Sequence, residues 1–371
     1  MTEAPIPLVD LGIQHRRIAD ELRPELDAVL DTTAFIKGPA VEAFEHEFAA
    51  YVGAAHCVAV ANGTDAVELA LRAVGVGAGD RVVVPANTFI ATAEAVVRAG
   101  ATPVLVDCEP EHQLIDPAGV LDAVRGHRAR AVAAVDLFGQ CAPLDELAST
   151  LAGSDVVLIE DAAQSQGATH NGKGIGAVAS IAATSFYPGK NLGAYGDAGA
   201  IVTNHAALAD QVRLLGDHGS RTRYVHEAVG MNSRLDTLQA VVLRAKLRHL
   251  AQWNDERSAA AGHYLDALAG SGIALPGTAA GNRHVWHLFV VRVPRRDEVL
   301  ATMQRAGVGV GVHYPVPIHL QPAFEWLGHR RGDFPHAEAA ASEILSLPLF
   351  PGITAAQQDR VVEVLLSALA G

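Results

Sequence analysis

Cysteine is scarce in this chain, and long apolar runs are absent. Only three cysteines occur in 371 residues: Cys57, Cys108 and Cys141. They are odd in number and widely spaced, so they predict neither a metal-binding pair nor a disulfide framework, and they fit a reducing compartment. No run of about 18 apolar residues predicts a transmembrane helix, and the N-terminal sequence does not have the form of a secretory signal. We therefore expect a cytoplasmic protein without a membrane span.

Positive charge is also scarce. The chain has 28 Lys and Arg residues against 41 Asp and Glu residues, which gives a formal net charge of −13. Nucleic acids and anionic membranes are bound through basic surfaces, so we expect neither as a partner. An anionic substrate would need local positive groups to offset this overall field.

Lysine is the rarer of the two basic residues, with only four in the chain, and one of the four has unusual neighbours. Lys190 lies in SFYPGKNLGAYGDAGA, residues 185–200, where no acid precedes Asp197. The simpler interpretation is a solvated loop residue, because most lysines are exposed. The alternative is a nucleophile, since a desolvated lysine has a lowered pKa.

Short apolar runs alternate with helical patterns between residues 56 and 204. The runs are nearly continuous rather than alternating, which is typical of strands covered on both faces. They cover residues 56–61, 81–86, 102–107, 130–138, 155–161, 182–187 and 199–204. This rhythm predicts a mostly parallel sheet in an α/β fold. The last two runs are close enough to form an antiparallel hairpin with Lys190 in its loop.

The C-terminal third predicts a second, smaller unit. Helices are predicted at about 233–250 and 253–269, and the turn-rich stretch SGIALPGTAAGN follows them at 271–282. Beyond it we expect a strand at 287–293 and three helices, near 296–306, 336–345 and 354–369. The predicted organisation is a large domain, residues 1–250, and a small C-terminal α/β domain, residues 251–371, against which N-terminal residues could pack.

Three stretches together carry a recognisable chemistry. The turn in ANGTDAVELAL, with Gly63 and Thr64, opens a helix whose N–H groups suit a phosphate, although it could be an ordinary turn capped by Thr64 or Asp65. Asp161 ends the apolar run of VVLIEDAAQSQGA, where α/β sheets bind ligands, although it could be a helix cap. A phosphate turn, an acid at a strand end and a loop lysine are what a pyridoxal phosphate enzyme requires.

The ordered set of motifs resembles the DegT/DnrJ/EryC1/StrS family of nucleotide-sugar aminotransferases. The motifs include FIKGPAVEAFEHEFAAYVGA, NGTDAVELAL, VVVPANTFIATAEAV, VDLFGQCAPLDEL, IEDAAQSQGA, SFYPGKNLGAYGDAGAIVTN, GMNSRLDTLQAVVL, WHLFVVR and VHYPVPIHLQPAF. The resemblance covers nearly the whole chain. It implies the aspartate-aminotransferase fold (pyridoxal phosphate fold type I), a large mostly parallel α/β domain with a smaller one, and a homodimer with shared active sites.

The resemblance also implies roles in holding pyridoxal 5'-phosphate, with pyridoxamine 5'-phosphate as the intermediate form. Lys190 would be the Schiff-base lysine and proton shuttle, and Asp161 would pair with the ring nitrogen. The other cofactor contacts would come from Gly63, Thr64, Phe89, Gln164 and Ser185, and from Asn232 of the partner subunit. Asn232 could otherwise be a helix cap, and Phe89 a core aromatic.

Two groups of residues are implied as substrate contacts. Tyr187, His313 and Tyr314 would contact the sugar, and a loop with Arg221, Arg223 and Tyr224 would approach the nucleotide in the partner's site. The simpler interpretation of His313 is a buried histidine in a strand. The simpler interpretation of the arginines is a solvated basic loop. Two of the positions that depart from the family pattern are Ala198, which stands where relatives usually have Gly, and Gln166, which stands where many have His.

The implied activity is transfer of an amino group from L-glutamate to C-3 of a 3-keto-6-deoxyhexose bound to dTDP or a similar nucleotide. The stretch SFYPGK favours C-3 over C-4, because the C-4 branch more often has a sequence of the form SFHATK. A C-4 aminotransferase is the first alternative. A sugar dehydratase would have a histidine in place of Lys190, and a non-catalytic regulator would not need the complete set of cofactor residues.

Overall fold

The computed structural model describes residues 4–370, and within them the chain forms an α/β fold. The strands are β1 His56–Val60, β2 Arg81–Pro85, β3 Thr102–Val106, β4 Ala131–Val135, β5 Val157–Asp161, β6 Thr169–His170, β7 Ile181–Ser185, β8 Gly199–Thr203, β9 Ser220–Thr222, β10 Val225–His226, β11 Asn282–Arg283, β12 Phe289–Arg292 and β13 Ile344–Leu347. The helices are α1 Leu11–Thr32, α2 Pro39–Val52, α3 Gly63–Ala73, α4 Ile90–Arg98, α5 Pro117–His127, α6 Leu144–Thr150, α7 Ala206–Gly216, α8 Thr237–Leu247, α9 Leu250–Ala267, α10 Arg296–Arg305, α11 Pro335–Glu343 and α12 Ala355–Ala370. Short 3-10 helices cover Leu137–Gly139, Ile318–Leu320 and Pro322–Leu327.

Seven strands form one central sheet, in the order β1-β8-β7-β5-β4-β2-β3. β8 is antiparallel to both of its neighbours, and the other pairs are parallel. The predicted mostly parallel sheet is therefore confirmed, and the seven apolar runs are its seven strands. β7 and β8 form the expected hairpin around Lys190.

Both faces of the sheet are buried, which explains the continuous apolar runs. In β4, Ala131 and Ala133 pack in one hydrophobic cluster with residues of α3 and α4. The alternate residues Val132 and Ala134 pack in a second cluster with residues of α5 and α6. Because side chains alternate along a strand, a strand covered on both sides must be apolar at every position.

The second half differs from the sequence prediction in three details. The predicted helix at 233–250 is shorter, since α8 ends at Leu247 and α9 begins at Leu250. The strand β13 was not predicted, and the helix expected to reach residue 345 ends at Glu343. A separate hydrophobic cluster joins β12, β13, α10, α12 and the second half of α9. Ile6 belongs to that cluster and pairs with Val308.

Candidate functional site

The predicted site residues converge at the edge of the sheet where β5 and β7 end and α3 begins. A cavity of about 670 Å³ lies there. Ten of the predicted residues line it: Gly63, Thr64, Phe89, Asp161, Gln164, Ser185, Tyr187, Lys190, His313 and Tyr314. Carboxyl ends of parallel strands are where open α/β sheets bind ligands, so the fold itself places the cavity.

Lys190 stands in the cavity without a charged partner in contact. Its backbone N–H donates to Tyr187 O at 2.8 Å, which closes the turn that presents the side chain. Within residues 4–370, its amine forms neither a hydrogen bond nor an ion pair. Burial lowers the pKa of Lys190 to about 8, and the more distant Asp161 carboxylate opposes this shift. The amine is therefore partly neutral near neutral pH, the state in which a lysine is nucleophilic.

Asp161 is the acid that faces the cavity, although Glu160 is its neighbour in β5. Its Oδ2 accepts a hydrogen bond from Thr92 Oγ1 at 2.7 Å, and its Oδ1 accepts one from the N–H of Ala163 at 3.2 Å. Burial raises the pKa of Asp161, whereas these two donors and Lys190 lower it. Glu160 is on the opposite face and accepts from the N–H of Gly176 at 2.8 Å. The role of Thr92 was not evident from the sequence, because it depends on packing between α4 and β5.

Gln164 has both ends of its amide engaged. Its Oε1 accepts from the N–H of Phe138 at 2.6 Å, and its Nε2 donates to Tyr314 Oη at 3.1 Å. The Tyr314 ring lies 5.1 Å from the Phe89 ring, centroid to centroid. Burial raises the pKa of Tyr314, so its hydroxyl stays protonated. These side chains form one connected wall of the cavity.

The start of α3 forms a close-packed cradle with the end of β7. A Cβ atom on Gly63 would stand 2.5 Å from Ser185 Cβ, so only glycine fits here. Asn62 caps α3, since its Oδ1 accepts from the N–H of Asp65 at 2.8 Å. The alternative interpretation of this turn placed the cap at Thr64 or Asp65, two or three residues too late in the chain. In the described part of the chain the N–H groups of Gly63 and Thr64 have no acceptor, which suits them to an anion.

Two neutral histidines line the cavity beside Lys190. Burial first, and the Lys190 charge second, lower the pKa of His313 to about 4 and that of His287 well below its usual range. His313 Nδ1 contacts Ser346 Oγ at 2.8 Å, and His287 Nδ1 contacts Asn191 Oδ1 at 3.3 Å. His287 was missed as a site residue, although it lies in the motif WHLFVVR.

Four predicted residues lie outside this cavity. Arg221 pairs with Glu227 at 2.6 Å, and the Arg223 guanidinium lies 4.9 Å from the centroid of the exposed Tyr224 ring. Asn232 is exposed and forms a backbone bridge with Asp217, and α8 has Asp236 at its N-cap position, so Asn232 is not the cap of that helix. Within one chain these residues do not meet Lys190.

The departures from the family pattern at Ala198 and Gln166 have structural explanations. Ala198 is buried and has no positive φ, so its position does not require glycine. Its carbonyl accepts from the N–H of Phe186 at 2.8 Å. Gln166 lies behind the cavity, where its Nε2 donates to Thr184 Oγ1 at 2.9 Å and to Ser185 O at 2.8 Å. Gln166 thus supports Ser185 without lining the cavity.

Residues 4–370 contain neither a candidate metal centre nor a helix that could cross a membrane. His, Cys, Asp and Glu side chains form no group of three or more there that could hold a metal ion. Each helix in this part of the chain is too short or too polar to span a bilayer.

Comparison with known proteins agrees with the fold and the motifs. The chain is 46% identical to dTDP-3-amino-3,4,6-trideoxy-alpha-D-glucose transaminase of Streptomyces venezuelae, over 96% of this chain and 94% of that protein. It is 47% identical to the erythromycin biosynthesis sensory transduction protein EryC1 of Saccharopolyspora erythraea, over 97% and 98%. It superposes on the crystal structure of S. venezuelae DesV in complex with a ketimine intermediate with a TM-score of 0.96 and 44% identity, over 98% of each chain.

The implied pyridoxal phosphate fold type I is therefore confirmed. The model of the DegT/DnrJ/EryC1/StrS aminotransferase family matches residues 16–366. This chain is a member of the DegT/DnrJ/EryC1/StrS aminotransferase family.

Proposed function

We propose that this aminotransferase transfers the amino group of L-glutamate to C-3 of a dTDP-linked 3-keto-6-deoxyhexose, with pyridoxal 5'-phosphate as cofactor. The observation that carries the proposal is Lys190, a desolvated lysine without an ion-pair partner, in one cavity with a buried carboxylate and an anion cradle. One of the relatives named above, from Streptomyces venezuelae, is by its name a transaminase of a dTDP-3-amino sugar, which supports C-3 rather than C-4. Lys190 argues against a dehydratase, and the complete set of cavity residues argues against a non-catalytic regulator.

The residues in the cavity fit pyridoxal phosphate. Lys190 would hold its aldehyde, Asp161 its ring nitrogen, and Gly63, Thr64 and Ser185 its phosphate. Phe89 would lie against the ring face, and Gln164 near the phenolic oxygen. Two features of residues 4–370 match the groups of this cofactor. The N–H groups of Gly63 and Thr64 have no acceptor there and can bind a phosphate, and the Asp161 carboxylate has no cation in contact and can bind a protonated ring nitrogen.

When bound, the cofactor supplies a carbonyl group that takes up the amino group and a ring that withdraws electrons from the reacting carbon. The chain supplies the proton transfers. The neutral Lys190 amine accepts a proton from the α-carbon of glutamate and later returns one to C-3 of the sugar, as base and then acid. Asp161 would keep the ring nitrogen protonated. A buried carboxylate is stabilised by a positive charge next to it, and the protonated nitrogen would supply that charge.

The neutral histidines and aromatic side chains complete the site. Because His287 and His313 are uncharged at neutral pH, they can contact sugar hydroxyls without repelling a protonated Lys190. Tyr187 is exposed at the mouth of the cavity, where it could contact the incoming sugar, and Tyr314 lies on its wall.

We further propose that two copies of the chain associate. Tyr224 is itself exposed, and the chain segments next to the predicted residues that lie outside the cavity carry further exposed apolar side chains: Phe35, Ile36, Val225 and Val229. A second copy covering this surface would bring its Asn232 to the phosphate cradle, and its Arg221 and Arg223 to the nucleotide. Those arginines would provide the local positive charge that a nucleotide requires in a protein of net charge −13.

A half-reaction tests the proposed chemistry. The cofactor-loaded protein, given L-glutamate alone, should release 2-oxoglutarate and convert its bound cofactor to the pyridoxamine form, seen by absorbance. Lys190→Ala should abolish this conversion. Lys173→Ala is the matched control, because Lys173 is exposed and paired with Asp145 at 2.7 Å. A fully active Lys190→Ala variant would refute the assignment.

A further inference from the structure

Lys246 is a buried cation for which the proposed reaction has no use. It lies near the end of α8, with 2% of its surface exposed, and no ion pair in residues 4–370 includes it. Burial lowers the pKa of Lys246 to about 8. Because burying an ammonium group is costly unless strong partners offset the cost, its contacts indicate its role.

Both partners of Lys246 belong to the segment that carries Lys190. This Lys190 segment, residues 186–198, joins β7 to β8. The Lys246 amine donates a hydrogen bond to Gly193 O at 2.6 Å and lies 4.8 Å from the centroid of the Tyr195 ring. A charge-assisted hydrogen bond and a cation–π contact are among the stronger single interactions available to a lysine.

The same helix holds the segment at a second point. Gln239 precedes Lys246 by seven residues, so both lie on one face of α8. Gln239 Oε1 accepts from the N–H of Tyr195 at 2.8 Å. The Tyr195 hydroxyl also contacts His15 Nδ1 on α1 at 2.7 Å. The Lys190 segment is thus anchored to helices on one side, at Gly193 and Tyr195.

The anchored residues are tied closely to Lys190. The N–H of Ala194 donates to Phe186 O at 2.8 Å, which closes the segment on itself. Gly193 packs so tightly on Pro188 that an added Cβ would collide with the Pro188 carbonyl. Gly193 thus lies in direct contact with Pro188, two residues before Lys190, so a contact that fixes Gly193 also supports the turn that presents Lys190.

We propose that Lys246 is a positioning residue that, together with Gln239, holds the Lys190 segment against α8 and so fixes where the Lys190 amine stands relative to Asp161. The inference rests on the proposed function for the role of Lys190. Proton transfer needs the amine within hydrogen-bond reach of the reacting carbon, and a displacement of about 1 Å can cost roughly 10²-fold in rate.

Lys246→Met tests the proposal, because methionine keeps the length of the side chain and removes its charge. In the cofactor-loaded full chain we expect faster amide exchange confined to residues 187–198. We expect kcat of the glutamate half-reaction to fall roughly 10- to 100-fold, with KM for L-glutamate almost unchanged, since the substrate contacts are intact. Lys173→Met should change neither quantity.

Two results would overturn the proposal. One is unchanged exchange and unchanged kcat in Lys246→Met. The other is faster exchange across the whole chain together with a lower thermal midpoint, which would make Lys246 purely structural. If Lys246→Met does not fold, Gln239→Leu removes the second anchor and should give the same local exchange. A fully active Lys190→Ala would refute the proposed function alone, because the exchange effect does not depend on catalysis.

Discussion

Burial has the largest influence on the reactivity of Lys190. The side chain is desolvated in the cavity. Among residues 4–370, the charge that counters the resulting pKa shift is that of Asp161, which is not in contact with it. A salt bridge would hold the amine in its charged, unreactive form. The absence of an acid between residues 185 and 196 is therefore consistent with the proposed chemistry.

Competitive acylation of the cofactor-free protein should measure this effect. The reactivity of Lys190 should rise with pH with a midpoint near 8, because only the neutral amine reacts. The exposed Lys173 serves as the internal reference for the reagent. Peptide mass spectrometry reads both lysines in the same sample.

The variant Asp161→Asn tests whether the Asp161 charge raises or lowers the pKa of Lys190. The Asp161 carboxylate raises the pKa of Lys190, so its removal should move the midpoint to lower pH. A midpoint that stayed near 10 in the wild type, or rose in Asp161→Asn, would contradict the described environment of Lys190.

Among the helices and strands, the sequence predicted those that a local hydrophobic pattern marks. The seven strands were predictable because each is covered on both faces, and the site residues followed because parallel strands end at one edge. The strand β13 was not predicted, since it begins directly after α11 and its first residues fall within the predicted helix near 336–345. The break between α8 and α9 depends on contacts with α1, where Arg248 and His249 meet Glu21, and nothing in SRLDTLQAVVLRAKLRHL indicates it.

The close approach of α3 to β7 gives a prediction at this scale. Gly63→Ala would place a Cβ against Ser185 and so push apart the two sides of the cradle. We expect at least a tenfold weaker affinity for pyridoxal phosphate, corresponding to about 1.4 kcal/mol, measured by equilibrium dialysis. Gly77→Ala is the control, because open space surrounds that position. Equal affinity in both variants would show that the cradle does not hold the phosphate.

At the scale of the whole molecule, a single chain lacks part of its predicted site. Asn232, Arg221, Arg223 and Tyr224 lie away from the cavity, and the role that the resemblance implies for them would require a second copy. The division into domains 1–250 and 251–371 remains a proposal. α9 contacts both proposed domains. Its Trp253 packs with α1 and α8, and its Tyr264 packs with β12 and β13.

Mixing two impaired variants tests the shared site. Alone, Lys190→Ala should be inactive and Asn232→Asp only weakly active. In a mixed dimer one site would regain both native residues, so random reassortment should restore activity to roughly a quarter of the sites. No recovery after verified exchange of subunits would place Asn232 outside the partner's site.

The proposed amino transfer to C-3 of a dTDP-linked keto sugar through Lys190 can be measured directly. The experiment uses ¹⁵N-labelled L-glutamate with a panel of 3-keto and 4-keto dTDP-6-deoxy sugars, and locates the label by NMR. We expect ¹⁵N on C-3 of a 3-keto substrate and none with Lys190→Ala. Label on C-4, or no transfer to any member of the panel by the cofactor-loaded protein, would contradict it.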